Sequence, residues 1–119
     1  MLNISKAEKF VYDNKIKNIS TSQIRKFLSA VNRISNKVNY QNDSEELSDD
    51  IIAEIEYMRI QFAYIVGKNK TPEMKALYND LSPIMSQIKK SKTTFINFAR
   101  YVEAIIAYHK FYGGDNNGE

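Results

Sequence analysis

No cysteine and no tryptophan occur in this 119-residue chain, and it holds one histidine, two prolines and four glycines. Without cysteine there are no disulfides, no thiol chemistry and no thiolate-ligated zinc or iron–sulfur centre. A single histidine argues against a histidine-based metal site and against a multi-histidine mechanism. Four glycines leave no phosphate-cradling loop, and with only two prolines there is little of the turn chemistry that a sheet protein needs. No apolar run approaches the ~18 residues of a membrane span. The opening Met1-Leu2-Asn3-Ile4-Ser5-Lys6 has no apolar segment of signal-peptide length. These absences lead to an expectation of a cytoplasmic protein with no membrane contact, and they leave no sign of a metal or cofactor site.

What is present fits an ordinary globular domain: 43% hydrophobic and 26% charged residues. The length suits a single domain over residues 1–119. Apolar residues recur with a helical period almost throughout. A short first helix is expected at about Ser5 to Asn14, with Ala7, Phe10 and Val11 on one face and Ser5 and Glu8 as a capping pair. Lys15 to Ser20 reads as a basic linker. A second helix, capped by Thr21 or Ser22, carries Ile24, Phe27, Leu28, Val31, Ile34 and Val38 in one stripe and fades near Asn39-Tyr40. Gln41 to Glu46 reads as a loop.

A third helix starts at Ser48, with Asp49 and Asp50 in its first turn and Gly67 expected just past its end. Ile51, Ile52, Ile55, Met58, Phe62, Ile65 and Val66 form its buried side. A fourth opens at Thr71-Pro72, with Pro at the first helical position. Its inward residues are Met74, Leu77, Tyr78 and Leu81. At Pro83 it either kinks, the favoured reading, or gives way to a new short helix with Ile84, Met85 and Ile88. After a basic loop, Lys89 to Lys92, a last helix is capped by Thr93 or Thr94, buries Phe95, Phe98, Ala99, Val102, Ile105 and Ile106, and stops at Gly113-Gly114. The tail 115–119 is expected to fray. The fold class expected is all-α: a compact bundle of about five helices, mostly antiparallel neighbours.

The formal charge of +3 conceals a segmented chain. Residues 1–42 carry eight bases against two acids, residues 43–56 seven acids and no base, and residues 57–119 nine bases against five acids. Every charge on the second helix is positive. At about 100° per residue, Arg25, Ser29, Arg33, Asn36 and Lys37 cluster opposite the apolar stripe, with Lys26 beside them. Binding a phosphate backbone calls for such a row of cations and amide donors on a rigid element. A solvated helix face would look the same. Lys68, with Lys70, makes a second basic point where cations also complement a helix C-terminus. Lys89, Lys90 and Lys92 form a third basic cluster or simply a soluble loop.

His109, with no clustered partner in sequence, reads as a packed or hydrogen-bonded residue. The acidic 43–56 stretch lacks the EF-hand pattern and its glycine. It reads as a loop and a negative helix start that could also meet a basic face on a neighbouring copy. Of the eight tyrosines and six phenylalanines, most fall on the stripes and belong to the core. Tyr12, Tyr40 and Tyr57 are less clearly buried, but nothing in the sequence singles them out for base stacking.

Three segments resemble a known family in order. Thr21-Ser22-Gln23-Ile24-Arg25-Lys26-Phe27-Leu28 resembles the Thr-Ser-x-Ile-Arg-x-(Phe/Ile)-Leu opening of the small helical subunit of type III-A CRISPR effector (Csm) complexes. Phe62-Ala63-Tyr64-Ile65-Val66-Gly67-Lys68 is similar to its Leu-Ala-Tyr-x-x-Gly-(Arg/Lys) segment. The run from Phe95 to Gly113, with Val102-Glu103-Ala104-Ile105-Ile106-Ala107-Tyr108-His109-Lys110 at its centre, resembles its long C-terminal motif. The matches span residues 21–113.

The resemblance implies a helical, non-enzymatic scaffold. Several copies would stack along the duplex of guide RNA and target RNA, meeting mainly the target-strand backbone without sequence preference. Other partners it implies are further copies of the chain, the guide-binding backbone subunits and the large polymerase-like subunit. Of the candidate RNA-binding residues, Arg25 carries over directly from the first motif and Lys68 matches the family's Gly-(Arg/Lys) position. Lys26, Arg33 and Lys37 come from the helical face itself. Because guide pairing supplies the sequence, such a subunit need not read bases. Copies stacking head to tail need two different surfaces. The rival reading is a helical adaptor that touches protein only. A small metal-dependent nuclease is a distant third, since the acids have no basic or histidine complement arranged around them.

Overall fold

The computed structural model of the protein describes residues 4–41 and 46–113. Five α-helices account for most of it: α1 Lys6–Asp13, α2 Thr21–Tyr40, α3 Asp49–Lys68, α4 Pro72–Ile88 and α5 Lys92–Phe111. A single 3-10 turn, Ile16–Asn18, joins α1 to α2, and there is no β-strand among the described residues. The all-α expectation therefore holds. Asp43, Glu45, Gly114 and the tail 115–119 lie outside the described residues.

The bundle is organised around α5, which packs against α1, α2, α4 and the 3-10 turn, while α3 closes the far side against α2 and α4. Phe95, Phe98, Val102 and Ile105 of α5 are buried against Phe27, Val31 and Ile34 of α2, Phe62 and Met58 of α3, and Leu81 and Met85 of α4, all in one core. Aromatic contacts mark its centre: Phe27 stacks on Phe62 with ring centroids 4.4 Å apart and meets Phe98 edge-on at 6.5 Å. α2 and α3 run antiparallel through a short connection, as this Phe27–Phe62 pairing and the Lys37–Glu54 pair farther along require.

Local chemistry explains the boundaries, in places differently from the sequence reading. Ser48 and Thr71 cap α3 and α4 as expected, accepting hydrogen bonds from the N–H groups of Ile51 and Met74. The cap of α2 is Ser20, not Thr21 or Ser22; its Oγ accepts from Gln23 N–H at 3.3 Å. The cap of α5 is Ser91, not Thr93 or Thr94, so Lys92 is the first helical residue. Ser5 precedes α1 in helical conformation and makes no side-chain cap, so it does not form the expected capping pair. Glu8 instead accepts from the Tyr112 hydroxyl at 2.7 Å.

Gly67 lies inside α3, not past its end; Asn69 terminates the helix, its side-chain amide donating to the Ile65 carbonyl at 3.0 Å. α4 continues through Pro83 as one helix, with no second start at Ser82.

The segment read as a basic linker is structural. Ile16, which opens the 3-10 turn, and Ile19, which follows it, are buried, and Lys15 adopts a positive φ of 54° to make the corner. Its anchor is His109, which is 2% exposed. Because a carbonyl can only accept, His109 Nε2–H donates to Ile19 O, at 2.8 Å. The expected packed, hydrogen-bonded role is what the histidine has. Across the molecule, Leu47 N–H donates to Lys90 O at 2.8 Å, and the Gln41 side chain brackets the same connection by bonding Glu46 O and Ser48 N–H. These bonds tie the α2–α3 connection to the α4–α5 turn and fix α3 alongside α2.

Candidate nucleic-acid interface

α2 is rigid because one side of it is core: Ile24, Phe27, Ala30, Val31, Ile34 and Val38 are buried. The opposite residues, Arg25, Lys26, Ser29, Asn32, Arg33, Asn36 and Lys37, are exposed. The sequence-derived face therefore exists as a surface, more than two turns long, on a fixed element. Arg25, Arg33 and Lys37 fall along it at eight- and four-residue steps, so their stems rise ~12 and ~6 Å apart along the axis.

What the helical wheel of α2 does not reveal is an acid delivered from α3. Glu54 lies with its carboxylate 3.6 Å from Arg33 Nε and hydrogen-bonded to the Lys37 ammonium. The Lys37 hydrogen bond, aided by the charges of Lys37 and Arg33, holds the Glu54 carboxyl below its ordinary range. Seventeen residues separate Lys37 from Glu54 in sequence, so only the antiparallel hairpin brings them together. Glu54 belongs to the acidic stretch that reads in sequence as a loop and a negative helix start, with a neighbouring copy's basic face as its other possible partner; it turns to its own chain's basic face. Within that stretch, Asp49 and Asp50 sit in the first turn of α3, and Glu46 pairs with Lys90 at 3.5 Å.

Lys26 and Arg33 reach the edge of a groove of about 630 Å³ between α2 and α3. Its α3 wall carries Tyr57, Ile60, Gln61 and Tyr64, and its floor includes Phe27, Met58 and Phe62. Lys68, in the last turn of α3, stands over the Tyr64 ring with its ammonium 6.0 Å from the centroid. The five predicted cations thus divide. Arg33 and Lys37 share Glu54, Lys26 and Arg33 flank the groove, Lys68 lies at its Tyr64 end, and Arg25 continues the α2 face. Tyr64, not among the tyrosines singled out in sequence as less clearly buried, is exposed as well.

Elsewhere the polar groups are accounted for by packing. The Tyr101 hydroxyl donates to Asp80 at 2.7 Å in a half-buried setting; burial raises the Asp80 carboxyl above its ordinary value and pushes the Tyr101 phenol up as well. Among the described residues no three acids or histidines come together in a way that could hold a metal ion. No buried side-chain polar atom there lacks a partner. No described helix is long and apolar enough to cross a membrane.

Comparison with known proteins gives a consistent picture. The family described as Csm2 Type III-A matches residues 2–115. The chain is 37% identical over 98 residues to the CRISPR system Cms protein Csm2 of Streptococcus thermophilus, covering 81% of this chain and 74% of that one. To the protein of the same name from Enterococcus italicus it is 30% identical over 128 residues, covering 94% and 90%. To the one from Mycobacterium tuberculosis it is 25% identical over 93 residues, covering 78% and 74%.

Proposed function

The chain belongs to the Csm2 family, a subunit of type III-A CRISPR complexes, and we propose that in its complex it is a non-catalytic scaffold binding RNA through the phosphate backbone. In this reading several copies stack along the guide RNA–target RNA duplex. Arg25, Lys26, Arg33, Lys37 and Lys68 contact mainly the target strand. The further contacts are with neighbouring copies, the guide-binding backbone subunits and the large polymerase-like subunit.

The observation that supports it most is the exposed cationic face of a core-anchored helix. α2 presents four cations and no acid of its own, and a rigid row of point charges suits a regularly spaced row of phosphates. None of the five cations is buried, so no desolvation cost opposes their use. Backbone contact without base readout is what a subunit following arbitrary guide-paired targets requires.

Glu54 bears on the mechanism. Its carboxylate occupies the position a phosphate oxygen would take between Arg33 and Lys37. An arriving phosphate exchanges with it, which keeps affinity per subunit modest and leaves avidity to the stacked assembly. The same geometry gives the protein-only alternative its one support, since a partner's carboxylates would dock there equally well.

The test is binding of the purified chain to unrelated single-stranded RNAs of equal length at low salt. Comparable affinities, weakened alike by Arg25→Ala, Arg33→Ala and Lys37→Ala together, are expected. No RNA binding, with nuclease-resistant capture of the other complex subunits, would favour the protein-only adaptor.

A further inference from the structure

α3 is apolar on two sides. Ile51, Ile55, Met58, Phe62 and Val66 enter the core, while Tyr57, Ile60 and Tyr64 stand on the outer side at 59%, 64% and 68% exposure. A helix face left to solvent would carry polar residues at these three positions. They are instead consecutive along one wall of the α2–α3 groove. Tyr57 and Tyr64 are two turns apart, ~10 Å along the helix, so the two rings serve separate groups and do not sandwich one.

The charge around these rings identifies the class of ligand. Among the described residues no acid lines the groove. Lys26 and Arg33 stand on its α2 side, and Lys68 caps Tyr64 at the other. Ser29 and Gln61 add neutral donors. Glu54, which approaches Arg33 from α3, is engaged by Arg33 and Lys37. Exposed aromatic faces set within a cationic rim are the combination by which proteins hold single-stranded nucleic acid: bases stack on the rings while the cations follow the backbone.

We propose that the α2–α3 groove is a stacking platform for unpaired RNA bases, with Tyr57 and Tyr64 supplying the ring faces and Lys26, Arg33 and Lys68 holding the adjoining phosphates. This rests on the RNA-binding reading above and adds a second mode to it. Every base has a π-face, so stacking is tolerant of sequence and compatible with a subunit that reads none. Bases within a duplex are already stacked on their neighbours, so the groove takes only nucleotides that are out of the pair. Ile60, between the rings, offers apolar contact to the same strand.

The absence of tryptophan makes the test direct, because intrinsic emission comes from tyrosine alone. The chain is titrated with single-stranded RNA 12-mers and with an abasic ribose-phosphate 12-mer of the same length. Base-bearing RNA is expected to quench tyrosine emission and to bind roughly 5-fold tighter or more than the abasic strand. Tyr57→Leu with Tyr64→Leu should remove that difference and leave the salt dependence unchanged. Tyr57→Phe with Tyr64→Phe should keep the affinity and lose most of the quenching.

Equal binding of base-bearing and abasic strands by the wild-type chain overturns the stacking platform and leaves backbone binding intact. So does a Leu double variant that binds RNA normally but no longer joins its protein partners, which would make the groove a protein-docking face. Failure of both strands to bind at low salt overturns the RNA-binding reading itself and the platform with it. The wild-type abasic comparison decides the matter even if a variant fails to fold.

Discussion

Glu54 reaches from α3 to Arg33 of α2, its carboxylate 3.6 Å from the guanidinium Nε, and at the same time accepts a hydrogen bond from Lys37. Two of the cations best placed for a phosphate are therefore partly neutralised within the chain. The pair stands at the surface and contributes under about 1 kcal/mol to stability. Glu54→Gln is expected to cost little stability and to raise affinity for single-stranded RNA roughly 2- to 5-fold, because the phosphate no longer competes with a carboxylate. Fluorescence anisotropy at low salt checks it. The sign with pH follows from the lowered Glu54 carboxyl: the pairing stabilises the fold above the ordinary carboxylate range and is lost as pH falls through the depressed value.

Asp80 behaves oppositely. Burial raises its carboxyl above the ordinary 3.8, so the native state favours the protonated form. Its stabilising contribution is full below that ordinary value and is lost as pH rises through the raised one. At neutral pH the charge is a burden and the acceptor oxygen is an asset. Asp80→Asn keeps an acceptor for Tyr101 and is expected to leave stability at pH 7 unchanged or slightly higher. Asp80→Ala strands the Tyr101 hydroxyl and should cost roughly 1–2 kcal/mol. Urea unfolding of both variants at pH 7 separates the two effects.

His109 links α5 to the chain entering α2 through the Ile19 carbonyl. His109→Ala opens a cavity and leaves that buried carbonyl without its donor, for an expected loss of about 2–4 kcal/mol. RNA affinity of the folded variant should be unchanged, because the ring is enclosed and lies outside the α2–α3 groove. Paired denaturation and RNA-binding measurements test a purely structural role.

Ser20, and not Ser22, caps α2. Ser20→Ala is expected to lower stability by about 1 kcal/mol, whereas Ser22→Ala, at an exposed position one residue into the helix, should cost a few tenths at most. Thermal unfolding followed by circular dichroism distinguishes them.

These cases show which parts of the molecule were legible in the sequence. The body of α2 was, because six apolar residues at helical spacing admit one buried face. The capping residue was not, because Ser20, Thr21 and Ser22 are all competent chemically. The choice is made by Ile19, which is buried in extended conformation and sets where the helix can begin. Gly67 suggested a helix end, but the last turn of α3 needs no left-handed residue and Asn69 supplies the terminating amide. Ile16 and Ile19 could not announce a 3-10 turn, since two apolar residues define no period; the turn is set by its packing against α1, α4 and α5. The cationic face could be drawn from one helix. The approach of Glu54 to that face could not, because it depends on the register between two helices, and so does the place of Tyr57, Ile60 and Tyr64 on a groove wall.

Phosphate contact by the α2 face is read most clearly from the slope of log affinity against log salt. Three cations lost at ~0.7 per single-strand phosphate predict a slope shallower by about 2. Arg25→Ala, Arg33→Ala and Lys37→Ala combined should show that change together with weaker binding to every RNA sequence tried. A combined variant with wild-type affinity and an unchanged slope would contradict the account.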